Sequence, residues 1–321
     1  MAMGKGNSVS ISKGGKTSSV ANKKLKKMWR DRYMYLILIP VIAYYLIFCY
    51  APMYGVTIAF KDYNMFKGVF GSEWVGLANF ERIFSTSDFY MVLRNTLMLN
   101  LLQLLFSFPG PIILALLLNE LRSVKFKRVV QTIVYLPHFL SWVVVATLLI
   151  PMLSPSTGVI NHLITRLGGE SIYFMSDPGW WIFIYVAAGV WKSIGWGAIV
   201  YLAALAGVDP SLYEAAIIDG ANKWQQCIHI TIPSIIPTIM VLLILNVGQI
   251  MSIGFDQPFL LGNSSVTEVS EVISTYVYRL GLESADISRS TAIGLFQSLV
   301  NFVILLITNT VSKKLTGSGI Y

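Results

Sequence analysis

Charge is scarce in this chain. Of its 321 residues only 12% are Asp, Glu, Lys or Arg, about half the roughly 25% of a soluble domain. With 55% hydrophobic residues gathered in long runs, that scarcity excludes an ordinary water-soluble globule and indicates a polytopic membrane protein. Cysteine is nearly missing too. Cys49 and Cys227 stand alone, which excludes a disulfide framework and leaves two expected free thiols. His138, His162 and His229 are scattered without metal-ligand spacing, and no nucleophile–base–acid arrangement is recognisable. A phosphate-binding loop is lacking as well. Gly15-Lys16-Thr17 mimics its end, but Ser10 stands where the earlier glycine belongs and no strand precedes it, so ATP has no site here. Internal repeats of the kind secondary transporters show are not seen.

The net charge of +8 does not signal nucleic acid, because nine Lys and Arg lie in the first 32 residues, where they read as a juxtamembrane tail. Residues 1–32 are too rich in Gly, Ser and Lys to bury anything and are expected to be disordered and cytoplasmic. They are not expected to be a cleavable signal. The basic region is long, and the apolar run that follows from Tyr33 to Ala59 exceeds the ~7–15-residue core of a signal peptide.

Six apolar stretches follow, at 33–59, 90–118, 129–151, 180–206, 233–254 and 290–311. Each reaches the ~20 residues that cross about 30 Å of hydrocarbon at 1.5 Å per residue. With six spans, the basic clusters before the first helix, at Arg122–Arg128, and at Lys313–Lys314 fall on one side. The positive-inside rule makes that side cytoplasmic, with both termini there. Residues 312–321 form a short cytoplasmic tail. Proline occurs within several stretches, at Pro40, Pro52, Pro109, Pro111, Pro137 and Pro237, which membranes tolerate where neighbours re-satisfy the freed backbone.

The most informative segment is the cytoplasmic loop 207–232. Asp209-Pro210-Ser211 is a helix start, with Asp209 able to cap and Pro210 preset for a first turn. Glu214 complements the dipole of a short helix over Leu212–Ile218. Ala215 and Ala216 permit close approach by another surface, and Gly220 fits a C-terminal cap. A second helix is expected from Ala221 to Ile230, closed by Pro233. Helix, glycine turn and helix make a compact knob that a partner's cleft can grip.

The order Glu214-Ala215-Ala216, three residues ending in Asp219, Gly220-Ala221, five residues, Cys227, two residues, Ile230, then Ile232-Pro233 resembles the coupling loop of binding-protein-dependent ABC importer permeases. Cys227 departs from the family's usual Phe, which puts an aromatic contact at that spot in doubt. Trp74-Val75-Gly76-Leu77-Ala78-Asn79-Phe80, Leu136-Pro137-His138-Phe139 and Trp191-Lys192-Ser193-Ile194-Gly195-Trp196 are similar to the maltose-type carbohydrate permeases, most of all their oligosaccharide and polysaccharide branch. The resemblance spans most of residues 33–321. It implies an all-α membrane protein of six transmembrane helices with a cytoplasmic coupling helix between the fourth and fifth. It also implies residence in the bacterial cytoplasmic membrane and a role as half of an import path rather than as an enzyme. The expected partners are a second permease in a heterodimer, two ATPase subunits that bind ATP and Mg, an extracellular solute-binding protein and a carbohydrate. No nucleic acid partner is expected. A polyol or glycerol phosphate is the alternative solute, and an ion-coupled carrier the alternative class.

A sugar path needs hydrogen-bonding groups at membrane depth. Asn246 and Gln249, one turn apart in the fifth stretch, Asn100 and Gln103 in the second, and Gln297 and Asn301 in the sixth are the candidates. Hydrogen bonding between helices is the competing use of the same pairs. Lys192, between Trp191 and Trp196 in the fourth stretch, costs roughly 2.5–3.5 kcal/mol in a membrane unless paired or hydrated. It either faces the path and meets a polar or anionic sugar, or pairs with carbonyls or a partner's acid.

Overall fold

The computed structural model describes residues 30–316. Most of the basic tail, the Gly15-Lys16-Thr17 tripeptide and residues 317–321 lie outside the described residues. The described chain forms two units, one ending at Thr57 and the other beginning at Ile58.

In the first unit, α1 (Arg32–Tyr44) continues into a π-helical turn at Tyr45–Tyr50 and then a 3₁₀ stretch from Ala51. Pro40 sits inside α1. No residue of Arg32–Tyr50 is buried. A helix this apolar on every side suits a membrane span.

The second unit opens with a two-residue antiparallel pair, β1 (Lys61–Asp62) and β2 (Glu73–Trp74). Then α2 (Ser87–Ser107) and α3 (Pro109–Glu120) form a 34-residue span. The two join at Phe108, where Pro109 and Pro111 enter the next turn without N–H groups to donate. The third apolar stretch is not one straight helix. It comprises α4 (Val124–Tyr135), a 3₁₀ turn at Leu136–Phe139 and α5 (Trp142–Met152), bent by 97°. Pro137 withholds a donor there, and the Ser141 hydroxyl accepts the Val144 N–H at 3.3 Å to start a fresh helix. The long α6 (Pro178–Ala206) begins on Asp177, whose carboxylate accepts the Trp180 N–H at 2.9 Å. The last described helix, α11 (Ile287–Thr316), follows several short helical turns, among them α10 (Ile273–Tyr278). Because α11 runs to Thr316, the expected tail from residue 312 is helical as far as it is described. Among the described residues, five helices are long and apolar enough to cross a membrane, and six when the bent pair counts as one.

Small residues set the helix spacing, as in membrane bundles generally. A Cβ on Gly195 would lie 1.9 Å from the Val134 carbonyl oxygen, and one on Gly197 would lie 2.8 Å from Pro111. So α6 is seated backbone to backbone on α4 and directly on α3. Ala115, Ala198, Tyr201, Leu205 and Ile235 fill the space between the spans.

The segment between the last two spans is tied down by buried polar groups. Asn95 of α2 donates to the carbonyls of Glu268 and Glu271 at 2.8 and 3.0 Å, and the Ile273 N–H donates to Thr96 at 2.9 Å. The Glu271 carboxylate pairs with Arg279 at 2.8 Å. Burial pushes the Glu271 carboxyl above its ordinary range, with Arg279 acting in the opposite direction.

Candidate functional site

The loop after α6 builds a knob from local signals. The Asp209 carboxylate accepts the Ser211 N–H at 2.9 Å, which opens α7 (Pro210–Ile218). This hydrogen bond, first through the Ser211 backbone, holds the Asp209 carboxyl below its ordinary range. The helix stops at Gly220, with φ of +78°, where Ala221 N–H reaches Ala216 O at 2.8 Å and Gly220 N–H reaches Ile217 O at 3.1 Å. This 6→1 and 5→2 pairing is a Schellman close, and it requires the left-handed residue that glycine supplies. A capping box follows: Asn222 accepts from the Gln225 N–H at 2.9 Å and Gln225 accepts from the Asn222 N–H at 2.8 Å. It starts α8 (Lys223–Gln226).

Here the structure corrects the expected second helix over Ala221–Ile230 with Pro233 as its end. The helix starts at Lys223 and runs through a π turn at Cys227–Thr231 into α9 (Ile232–Gly248), one 26-residue span. Pro233 is the second residue of α9, and the preceding π turn accommodates its missing donor. The hydroxyls of Tyr213 and Thr231 meet at 3.1 Å and tie α7 to this continuous helix. Glu214, Ala215 and Asp219 are exposed, whereas Ala216 and Ala221 are half-buried. Ile218 is 85% exposed and Trp224 is 72% exposed. Those two side chains were not among the expected contact residues. With Leu212 and Ile217, they are large apolar groups exposed on a loop that also carries Glu214, Asp219 and Lys223, and that is the signal that points to them.

The polar candidates converge from another direction. The fifth span ends at Gly248 rather than near residue 254, so Gln249 lies just past the helix instead of one turn along it. Its unwound continuation is held by side chains of two other helices. Asn100 of α2 donates to Ile250 O at 2.6 Å, and Gln297 of α11 donates to Met251 O at 2.6 Å. Asn301 accepts the Met251 N–H at 3.1 Å and donates to Ser252 Oγ at 2.8 Å. Irregular backbone at membrane depth persists where its polar groups are satisfied or line a cavity.

Both conditions hold. A cavity of 470 Å³ lies beside the break, walled by α2, α3, α6, α9 and the 3₁₀ turn, with Asn100, Gln103, Asn246 and Gln249 on its lining. The volume falls in the ~300–1,000 Å³ range of small-molecule pockets. Ser107, Ser193, Tyr201 and Ser252 add hydroxyls. His138 and Trp196 supply a stacked aromatic pair with centroids 4.4 Å apart and planes 3° apart. Asn246 also donates to Leu242 O at 2.7 Å. Gln103 accepts from Ser107 at 2.8 Å and occupies the space that Gly189 leaves.

Three candidates do not reach this lining. Gln297 and Asn301 serve the break itself. Lys192 turns instead to the bend of the third span, where its ammonium donates to the carbonyls of Pro137, His138 and Leu140 at 3.5, 2.8 and 2.5 Å. It also lies 5.7 Å from the Trp142 ring. The carbonyl-pairing alternative therefore holds for Lys192, and the ion-coupled carrier built on it loses its charged group. His138, Ser193 and Trp196 were not among the path candidates that the sequence pointed to. The bend that brings His138 beside α6 is a tertiary outcome that spacing along the chain does not show.

Comparison with known proteins bears on both features. Residues 107–317 match the model of the binding-protein-dependent transport system inner membrane component. The chain belongs to that family. This permease is 48% identical over 292 residues to protein LplB of Bacillus subtilis, covering 91% of the permease and 92% of LplB. It is 46% identical over 297 residues to the polygalacturonan/rhamnogalacturonan transport system permease protein YteP of the same organism, covering 92% of each. Among solved structures it superposes with a TM-score of 0.85 and 44% identity on a chain of a bacterial alginate ABC transporter, crystallised with its alginate pentasaccharide-bound periplasmic protein, covering 92% of the permease and 99% of that chain. The six-span all-α reading is borne out, and the permease is an integral subunit of the cytoplasmic membrane.

Proposed function

We propose that this permease forms half of the translocation path of an ABC importer for an acidic oligosaccharide. The observation that carries the reading is the cavity beside the helix break, lined by the amides of Asn100, Gln103, Asn246 and Gln249 with an aromatic pair. Carboxamides and hydroxyls match a polyhydroxylated ligand, and aromatic faces match sugar rings. Relatives named for polygalacturonan/rhamnogalacturonan and for the acidic polysaccharide alginate support an anionic sugar.

On this reading a second permease closes the other half of the path, and an extracellular binding protein delivers the sugar. Two ATPase subunits bind ATP and Mg. They grip the knob at Glu214, Ala215, Ala216, Asp219, Gly220 and Ala221, beside the exposed Ile218 and Trp224. Pro233 lies at the root of the knob. Because α8 is continuous with α9, a push on the knob reaches the cavity wall along one helix, and packed helices with two arrangements then carry the change. Both termini lie in the cytoplasm. The test is uptake of labelled oligogalacturonide into proteoliposomes holding the full complex. ATP- and binding-protein-dependent uptake, lost in Asn246→Leu/Gln249→Leu with assembly intact, is expected. Unchanged uptake in that double variant would refute the path.

A further inference from the structure

We propose that His138 is the cavity group that recognises the carboxylate of an acidic sugar unit and so sets a preference for acidic over neutral oligosaccharides; this rests on the functional reading above. The cavity lining is otherwise without charge. Among the lining side chains there is no carboxylate, lysine or arginine, and His138 is the one imidazole. An anionic sugar entering a space lined by amides and hydroxyls loses hydration that neutral dipoles replace poorly. One imidazole N–H directed at the carboxylate supplies a charge-assisted hydrogen bond in its place.

The surroundings hold His138 for that task. Its backbone lies in the turn pinned by Lys192, whose ammonium donates to the carbonyls of His138 and Leu140 at 2.8 and 2.5 Å, with that of Pro137 at 3.5 Å. Lys192 is directed at this turn and is absent from the cavity lining, so its part is to position the turn. The imidazole face is fixed by the stack on Trp196, which itself meets Phe139 edge-on with centroids 5.9 Å apart. Stacking occupies a face and leaves the edge, and neither ring nitrogen has a hydrogen-bond partner among the described residues. A donor held at a cavity wall with its edge unspent is preorganised, so little ordering is lost on binding. The Leu136-Pro137-His138-Phe139 motif gains a physical reading: proline breaks the span, and the break delivers histidine.

The experiment is equilibrium binding of trigalacturonide and of its carboxyl-reduced counterpart to the complete detergent-solubilised complex, without binding protein, so that only the permease's own preference is read. Wild type is expected to favour the acidic trimer by about tenfold or more, the contribution of one hydrogen bond to a charged group. His138→Phe keeps the ring stack and removes the N–H; it should weaken the acidic trimer alone and abolish the preference. His138→Arg should restore it. If the phenylalanine variant fails to assemble, His138→Met serves the same comparison. Equal weakening of both sugars, or an unchanged preference, overturns the assignment. Failure of the wild type to bind either sugar overturns the oligosaccharide reading itself, and the role of His138 with it.

Discussion

Gly195→Ala probes the seat of α6 on the broken third span. An alanine Cβ there would lie 1.9 Å from the Val134 carbonyl oxygen, where ordinary contact begins at 3.4 Å. The obstacle is backbone, so no side chain can swing aside, and the helices must part by about 1.5 Å, the difference between those distances. Lys192 lies one turn earlier on the same helix. Moved by that amount, its 2.8 Å bond to His138 O would lengthen to as much as about 4.3 Å, beyond hydrogen bonding. Overpacking alone costs about 1–3 kcal/mol. At about 2–4 °C per kcal/mol, the unfolding midpoint should drop by roughly 2–12 °C. In a Cys49→Ser background, since Cys49 is exposed, a thiol-reactive dye that reports on the half-buried Cys227 as the detergent-solubilised permease unfolds gives a direct assay. The acidic-sugar preference should fall with the midpoint, because the turn carrying His138 loses its anchor. A Gly195→Ala variant with wild-type midpoint and preference would refute the argument that this backbone contact positions the turn.

Other consequences are as open to measurement. Lys192→Met removes two short charged hydrogen bonds, about 1.5–3 kcal/mol each, and also the roughly 2.5–3.5 kcal/mol cost of holding a cation in the membrane; the net loss of roughly 0–3 kcal/mol should leave an assembled complex, and failure to assemble would contradict it. At Gly220 a Cβ meets nothing within 4 Å, so Gly220→Ala should cost only the left-handed backbone term of about 1–2 kcal/mol, seen as faster amide exchange over 210–222; unchanged exchange would count against the Schellman close. The Asp209 carboxyl is held below its ordinary range, so the α7 cap it provides is complete above the unfolded carboxylate value and lost as pH falls through the lower folded one. Asp209→Asn should remove that acid-side loosening of α7 while keeping the cap, as read by exchange corrected for intrinsic pH effects.

Much of this was legible in the chain. Apolar runs of the right length located every span, since burying backbone in lipid leaves few alternatives to helix. The Asp209 and Gly220 caps were readable because a cap is a local event. What escaped was set by contacts between distant residues. Pro233 looked like a terminator, yet a π turn carries the helix past it. Gln249 looked helical, but α9 stops one residue before it, where Gly248 lies against Leu305 of α11. Intramembrane polarity marked Gln297, Asn301 and Lys192 without saying whether each served a ligand or the backbone, because both uses call for the same residue types. The cavity amides were found from their spacing, and His138 was not, since its place depends on a 97° bend.

The unwound end of α9 has a mechanical consequence. Asn100 on α2 and Gln297 and Asn301 on α11 grasp the same few backbone atoms from two sides. Shearing either helix past that point would break several bonds at once and strand polar groups at membrane depth. These three elements should therefore travel as one block through a transport cycle. The give must come from elsewhere in the bundle. In engineering terms the break is a weld rather than a hinge, and the joint that looks most disordered along the chain is the one least free to move.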